Sequence, residues 1–169
     1  ANGAAGGDYV RTFTVIPPAA NAVAISIGNF ARGPAQPVNL PANATTGIPI
    51  SFSDGGGITS ASFQLRYNPA LLTIANGTGA AVAPGLTVAS VTIDTATTPG
   101  VAAIQFTSST SLAAGTTRFI DLIASVPTTA TYLTKHVLDF TNVSLNGGSI
   151  PALDDDSVHV VQAVATLAH

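Results

Sequence analysis

The side chains best able to do chemistry in this 169-residue chain are three histidines, His136, His159 and His169, and eight carboxylates, all of them Asp. A zinc site needs His, Cys or carboxylate ligands brought close together. His159 follows Asp154-Asp155-Asp156 and could join them; the plainer reading is a solvated histidine at a strand edge. The same acidic run could ligate Ca²⁺, which takes several carboxylate and carbonyl oxygens. It lacks the Asp-x-Asp-x-Asp-Gly loop, so a solvated turn that keeps a sheet edge soluble is the expected role. His169 is the last residue of the chain.

Nucleophilic chemistry finds no frame. There is no Gly-x-Ser-x-Gly elbow to present a serine, and no Cys for thiol catalysis or disulfides. Glycoside hydrolysis needs two acids in one cleft, whereas Asp8, Asp54, Asp154, Asp155 and Asp156 fall in expected loops or turns. Gly55–Gly57 and Gly147–Gly148 read as turns, because phosphate loops follow a strand and open a helix. Asn43, Asn76 and Asn142 sit in Asn-x-Ser/Thr triplets of the kind a Thr/Ser-rich chain produces by chance. The expectation is a protein without catalytic residues, cofactor or metal.

The composition says what must hold any site. Charged residues make up 8% of the chain, where about 25% is usual. There is no Glu and one Lys, Lys135, so the residues that normally coat helices are missing. Thr, Val, Ser, Gly and Pro take their place, which is the composition of a β-sandwich. A net charge of −3 without a basic cluster argues against nucleic acid, which needs several bases on one face. No uncharged apolar run is long enough to span a bilayer. The polar, Lys-poor surface points to a secreted or cell-surface protein, with bacterial surface proteins as the expected setting. The start at Ala1-Asn2-Gly3 reads as a cut within something longer.

Short alternating runs separated by turn residues predict an all-β fold of about nine strands after Asn21. They fall at Val23–Phe30, Gln36–Pro41, Gly47–Ser53, Ile58–Tyr67, Leu86–Ile93, Val101–Ser108, Arg118–Val126, His136–Val143 and Ser157–Val164. Asp154–Asp156 is expected as a turn, and Ser109–Gly115 as a loop with room for one helical turn. In Ile58–Tyr67 the alternation is strongest: Ala61, Phe63, Leu65 and Tyr67 face one way, and Ser60, Ser62, Gln64 and Arg66 the other. Upstream, Tyr9–Ile16 reads as one strand closed off by Pro17-Pro18, and is similar to the last strand of a bacterial immunoglobulin-like repeat. The expected division is therefore 1–19 as a linker or end of a preceding module, 20–164 as the sandwich, and 165–169 as a tail.

The order of these pieces resembles a cohesin module. Val23–Gly28 resembles the family's opening strand. Gln36-Pro37-Val38-Asn39-Leu40-Pro41 resembles its second strand, with Ala35-Gln36 where Gly-Asp is usual. Ile58–Tyr67 followed by Asn68-Pro69-Ala70-Leu71-Leu72 resembles its alternating strand ending in Tyr-Asp-Pro-x-x-Leu, with Asn68 for the Asp. Val101–Phe106, Phe119–Ala124 and Leu145–Pro151 fit the later strands and the loop before the last one, so the likeness covers roughly residues 22–162.

The resemblance implies a nine-stranded jelly-roll sandwich that binds a dockerin-type partner through one sheet face, with calcium on the partner. That face maps onto Ile58–Arg66, Leu86–Ile93, Val101–Thr107 and Val137–Asn142. Its outward residues are Ser62, Gln64 and Arg66 on the first of these, Ala103, Gln105 and Thr107 on the third, and Val137, Asp139 and Thr141 on the fourth; in Leu86–Ile93 the alternation is ambiguous. Two other functions stay open. A spacer or adhesin domain of a large surface protein would have no ligand of its own. A carbohydrate-binding module would want exposed rings, and with no Trp and Tyr67 assigned to the core, Tyr9 and Tyr132 are left.

Overall fold

The computed structural model describes residues 14–15, 17–41, 47–75, 80–81, 86–96 and 99–162. Runs rich in Val, Ile, Thr and Phe, with apolar residues at every second position, can bury one face as extended chain and leave the other wet. The strands are β1 (Val23–Ser26), β2 (Phe30–Arg32), β3 (Pro37–Val38), β4 (Ile48–Phe52), β5 (Ser60–Tyr67), β6 (Thr73–Ile74), β7 (Ala80–Ala81), β8 (Leu86–Asp94), β9 (Gly100–Ser108), β10 (Thr117–Leu122), β11 (Ala124–Ser125), β12 (Lys135–Leu145), β13 (Ala152–Asp155) and β14 (Ser157–Val161). Apart from a 3-10 turn at Asn146–Gly148, they are the only regular elements among the described residues.

Two sheets form the sandwich. One has the order β13-β1-β4-β10-β7 and the other β2-β14-β12-β5-β9-β8; a small third sheet has the order β3-β11-β6. The first and last runs of the domain change sheets together. β1 lies parallel to β13 in the first sheet, and β2 lies parallel to β14 in the second. At the crossing, Ser157 Oγ donates to the Gly28 carbonyl and Asn29 Oδ1 accepts from the Val158 N–H. Thus the predicted single strand Val23–Phe30 is two strands.

Aromatic residues from both sheets fill the core. Phe119 stacks on Phe52 at 4.2 Å and meets Phe63 and Phe106 of the other sheet at 5.9 and 5.5 Å. Ile48, Ile50 and Phe52 point inward from β4 and are fully buried. Gly47 precedes them at φ +103°, where an added Cβ would collide with the Leu122 carbonyl oxygen, so β4 enters the sheet against β10 only with glycine there.

The corner after β5 has a clear physical cause. Asn68 Oδ1 accepts from the Ala70 N–H, and the Asn68 carbonyl accepts from the Leu71 and Leu72 N–H groups. This turn reverses the chain around Pro69 and drops Leu71 and Leu72 back into the core.

Several expectations need correcting. Asp154-Asp155-Asp156 is not a turn: Asp154 and Asp155 belong to β13, paired with Ile25 and Ser26. Being on an edge strand, they stay exposed without needing a loop. Arg118–Val126 divides into β10 and β11, which serve different sheets. Ser109–Gly115 contains no helical turn; Leu112 bridges to Gly56 instead. The nine expected strands become fourteen segments among the described residues: Val23–Phe30 and Arg118–Val126 each split where they change sheets, and β6, β7 and β13 lie outside the nine runs. The Tyr9–Ile16 strand falls outside the described residues except for Thr14 and Val15, which carry no strand. Asn43, Asn76 and His169 also lie outside them.

Candidate protein-binding face

The ladder registers put outward residues of the second sheet in rows. β5 pairs with β9 along its length, so Ser60 stands opposite Thr107, Ser62 opposite Gln105, Gln64 opposite Ala103 and Arg66 opposite Val101. On its other side β5 meets β12, where Asp139 stands opposite Arg66, Thr141 opposite Gln64 and Ser144 opposite Ser62. The burial pattern agrees: Ala61, Phe63, Leu65 and Tyr67 are buried, while the residues between them reach solvent. All nine expected residues, Ser62, Gln64, Arg66, Ala103, Gln105, Thr107, Val137, Asp139 and Thr141, occupy outward positions of this one sheet, and none is in the buried core.

The face is larger than alternation alone reveals. A register shift between Thr141 and Ser144 puts Asn142 in the left-handed region at φ 54°, exposed, with its Nδ2 donating to Gln64 Oε1 at 3.0 Å. Asn tolerates that conformation. Ser144 thereby joins the outward row. A second shift between Val88 and Ser90 lies in β8, which is why its alternation is ambiguous; beyond it Thr92 registers with Ala103 and Asp94 with Val101, and both are exposed. Bulges carry no strong signature in a single sequence.

The relief is shallow and its lining neutral. One depression of about 240 Å³ is lined by Ser60, Ser62, Gln105, Thr107, Ser144 and Gly147. A neighbouring one of about 180 Å³ adds Gln64, Ala103 and Asn142. Hydroxyls and amides can each donate and accept hydrogen bonds, so this surface suits a flat partner docked by neutral contacts around small apolar residues.

The histidines belong elsewhere. His159 is fully buried, not a solvated edge residue, because it alternates with outward Val158 and Val160 and so points into the core. It stacks on Phe30 at 4.7 Å. Opposite it, His136 Nδ1 accepts from the Asn68 N–H at 3.0 Å, which leaves His136 Nε2 to donate to His159 Nδ1 at 2.9 Å. The remaining proton then sits on His159 Nε2, which is buried and lacks a hydrogen bond of normal geometry, although the Arg32 backbone is close enough to favour it. Burial, reinforced by the neighbouring ring, pushes the His136 pKa from 6.5 down to about 4. Burial also lowers that of His159. Neither ring is near the acidic run in a ligand set: among the described residues no three His, Cys, Asp or Glu side chains are grouped as a metal site would require.

The acids have structural work. Asp54 Oδ1 accepts from the Gly56 and Gly115 N–H groups, which hold its carboxyl below the usual range. Asp156 Oδ1 accepts from the Phe140 N–H. Asp121 is buried and paired with Arg118, whose Nε donates to Oδ1 at 2.7 Å. Of the tyrosines, Tyr67 is buried as expected and Tyr132 is exposed, with no second exposed ring beside it among the described residues to make a sugar platform.

Residues 37–160, most of the sandwich, match the cohesin domain family. This chain is a cohesin. Its fold, an all-β jelly-roll sandwich, is that of solved cohesin structures at low identity. The sixth cohesin of scaffoldin B from Acetivibrio cellulolyticus, solved in complex with a dockerin, superposes with a TM-score of 0.60 at 16% identity, covering 83% of this chain and 98% of that one. A type I cohesin–dockerin complex from Clostridium thermocellum gives 0.61 at 9% identity over 89% and 100%. A non-cellulosomal cohesin from the archaeon Archaeoglobus fulgidus gives 0.53 at 12% identity over 84% and 92%. No curated protein matches the chain in sequence.

Proposed function

We propose that this cohesin is a non-catalytic binding module that takes a dockerin-type partner on the outward face of β5, β9 and β12, at Ser62, Gln64, Arg66, Ala103, Gln105, Thr107, Val137, Asp139 and Thr141. The observation that carries the reading is the row pattern itself. Across three adjacent strands, small neutral side chains line up opposite one another, with Arg66 and Asp139 at one end. Such a face has no cleft for a small substrate and is flat enough for a protein. The family relationship supports the same reading, since solved relatives are complexes with dockerins. Calcium, where binding needs it, would sit on the partner.

The module is proposed to occupy residues 20–164 of a larger extracellular or cell-surface protein, with 1–19 as a linker or the end of a preceding module. Among the described residues no helix is long and apolar enough to cross a membrane.

The test is calorimetric titration with dockerin modules encoded in the same genome, with and without calcium. Saturable binding that Gln105→Arg abolishes supports the reading and the face. No heat with any dockerin overturns it and leaves a spacer domain as the function.

A further inference from the structure

Between β5 and β12 the ladder ends at Arg66 and Asp139. Two residues further along, the Asn68 N–H meets His136 Nδ1 at 3.0 Å in place of a backbone carbonyl. The other bonds of this corner are its own: Asn68 Oδ1 accepts from the Ala70 N–H, and the Asn68 carbonyl from the Leu71 and Leu72 N–H groups. Leu71 and Leu72 are buried, whereas Asn68 and Pro69 are partly exposed and Ala70 is exposed. The outer part of the corner is thus bonded to β12 through a ring that can take up a proton.

The histidine pair has no free place for that proton. His136 Nε2 and His159 Nε2 carry hydrogens, and the other two ring nitrogens already accept, His136 Nδ1 from Asn68 and His159 Nδ1 from His136. A proton added to His136 Nδ1 would face the Asn68 N–H. One added to His159 Nδ1 would face the His136 Nε2–H. Either way two donors oppose each other where a hydrogen bond had been.

The surroundings do not compensate. From β2, Phe30 stacks on His159, and Arg32 is a cation whose guanidinium donates to the Ala31 and Asn39 carbonyls. From β5, Asn68 is neutral, and Tyr67 before it has its pKa raised by burial and so stays neutral in acid. On β12, Lys135 and Asp139 alternate with His136 and lie on the opposite, outward side. The charges that act on the rings, the neighbouring ring and Arg32, both oppose a further proton. His136 is partly exposed and His159 fully buried, so water reaches the pair at His136.

We infer that the His136–His159 pair is an acid-operated latch: uptake of one proton at His136 releases Asn68–Ala70 from β12, while Leu71 and Leu72 stay in the core and the sandwich stays folded. Release turns His136 Nδ1 towards water and ends the donor conflict. The released form binds its proton as an ordinary histidine near 6.5, and the closed form near 4. Acid therefore favours release by up to roughly tenfold per pH unit between these values, and the latch is closed above them. Arg66 is two residues before Asn68, so the latch regulates the Arg66–Asp139 end of the face proposed to bind a dockerin. That consequence rests on the dockerin reading; the latch itself is tested without a partner, so the two fail separately.

The experiment follows amide hydrogen exchange and histidine ring ¹⁵N shifts of the partner-free chain from pH 7 to 4.5, with exchange corrected for its intrinsic pH dependence. The expected result is a protection of the Asn68 amide that falls by about tenfold per unit below pH 6, while Phe63 and Leu65 in the middle of β5 stay protected. The ring shifts should show His136 as the Nε2–H tautomer at pH 7, gaining its proton as Asn68 is exposed. His136→Gln can accept from Asn68 but cannot titrate, so its Asn68 protection should stay nearly flat. If Asn68, Phe63 and Leu65 lose protection together, acid acts on the whole fold and the latch is overturned. It is overturned equally if His136 gains its proton while Asn68 stays protected. Should His136→Gln fail to fold, the exchange and ring shifts of the unmodified chain decide by themselves.

Discussion

Arg66 of β5 and Asp139 of β12 stand directly opposite each other on the outward face, in register between two antiparallel strands. Opposite charges so placed stabilise a sheet by roughly 0.2–1 kcal/mol, and exposure of Arg66 puts this pair at the low end. Reversing either charge sets like charges against each other. Arg66→Glu or Asp139→Arg should therefore cost well under about 1 kcal/mol in urea unfolding, while weakening dockerin binding tenfold or more. The double reversal should recover the stability of the parent, because opposite charges face each other again. Single variants that lose stability but bind normally would remove this pair from the docking face.

The paired histidines make a prediction about acid. In the folded chain His136 titrates near 4 rather than 6.5, and His159 is lowered too. The unfolded chain, with ordinary histidines, binds these protons at higher pH. Stability contributed by keeping the rings neutral is thus complete above about pH 6.5 and is lost as pH falls from there towards 4. His136→Gln preserves an acceptor for the Asn68 N–H and a donor towards His159. Its denaturation midpoint should fall less steeply over that interval, with the slope roughly halved if the two rings contribute equally. A slope identical to the parent's would show that the carboxylates, not the histidines, govern the acid response.

How much of this was legible in sequence depends on where the information sits. β5 was legible because one buried face forces strict alternation over Ser60–Tyr67, and because Asn68-Pro69 makes a turn through its own side chain. The outward residues of β9 and the start of β12 followed from the same rule. The switch of β1 into β2 was hard to read: Gly28-Asn29 is a turn-type dipeptide, but what sends the two halves to different sheets is pairing with β13 and β14, which spans the whole domain. A run of three acids reads as a turn by composition; only its parallel pairing with β1 makes it an edge strand. His159 is buried because of partners 23 and 129 residues away, His136 and Phe30 being on other strands. Ser144 and Asn142 were hidden by the bulge in β12.

Asn146 clasps the end of β12 to the start of β5. Its Oδ1 accepts from the Thr59 N–H, the Ser60 N–H and the Thr59 hydroxyl, and its Nδ2 donates to the Gly57 carbonyl. Asn146→Ala leaves these part-buried backbone groups without a partner, and should destabilise by about 2 kcal/mol. Asn146→Asp keeps the acceptor but loses the donor to Gly57, so it should cost less. Because this clasp borders the depression lined by Ser60 and Gly147, both variants should also weaken binding at that end. Denaturant unfolding and dockerin titration of the pair would check the order, and an Asp variant as damaging as Ala would mean that the donor to Gly57 is the main contact.

Phe119 is where the two sheets are joined. It is 1% exposed, stacks on Phe52 within its own sheet, and reaches Phe63 and Phe106 across the sandwich. Phe63 and Phe106 are the inward neighbours of Ser62, Gln64, Gln105 and Thr107, so the proposed docking face rests on this cluster. Phe119→Ala should cost about 3–5 kcal/mol, since rigid rings around the cavity cannot collapse to fill it. Phe119→Leu should cost much less, because most of the volume is kept. If the sandwich positions the face only through its strands, the Leu variant binds dockerin normally despite its lower midpoint. Weakened binding in a fully folded Phe119→Leu protein would show instead that ring packing sets the flatness of the face.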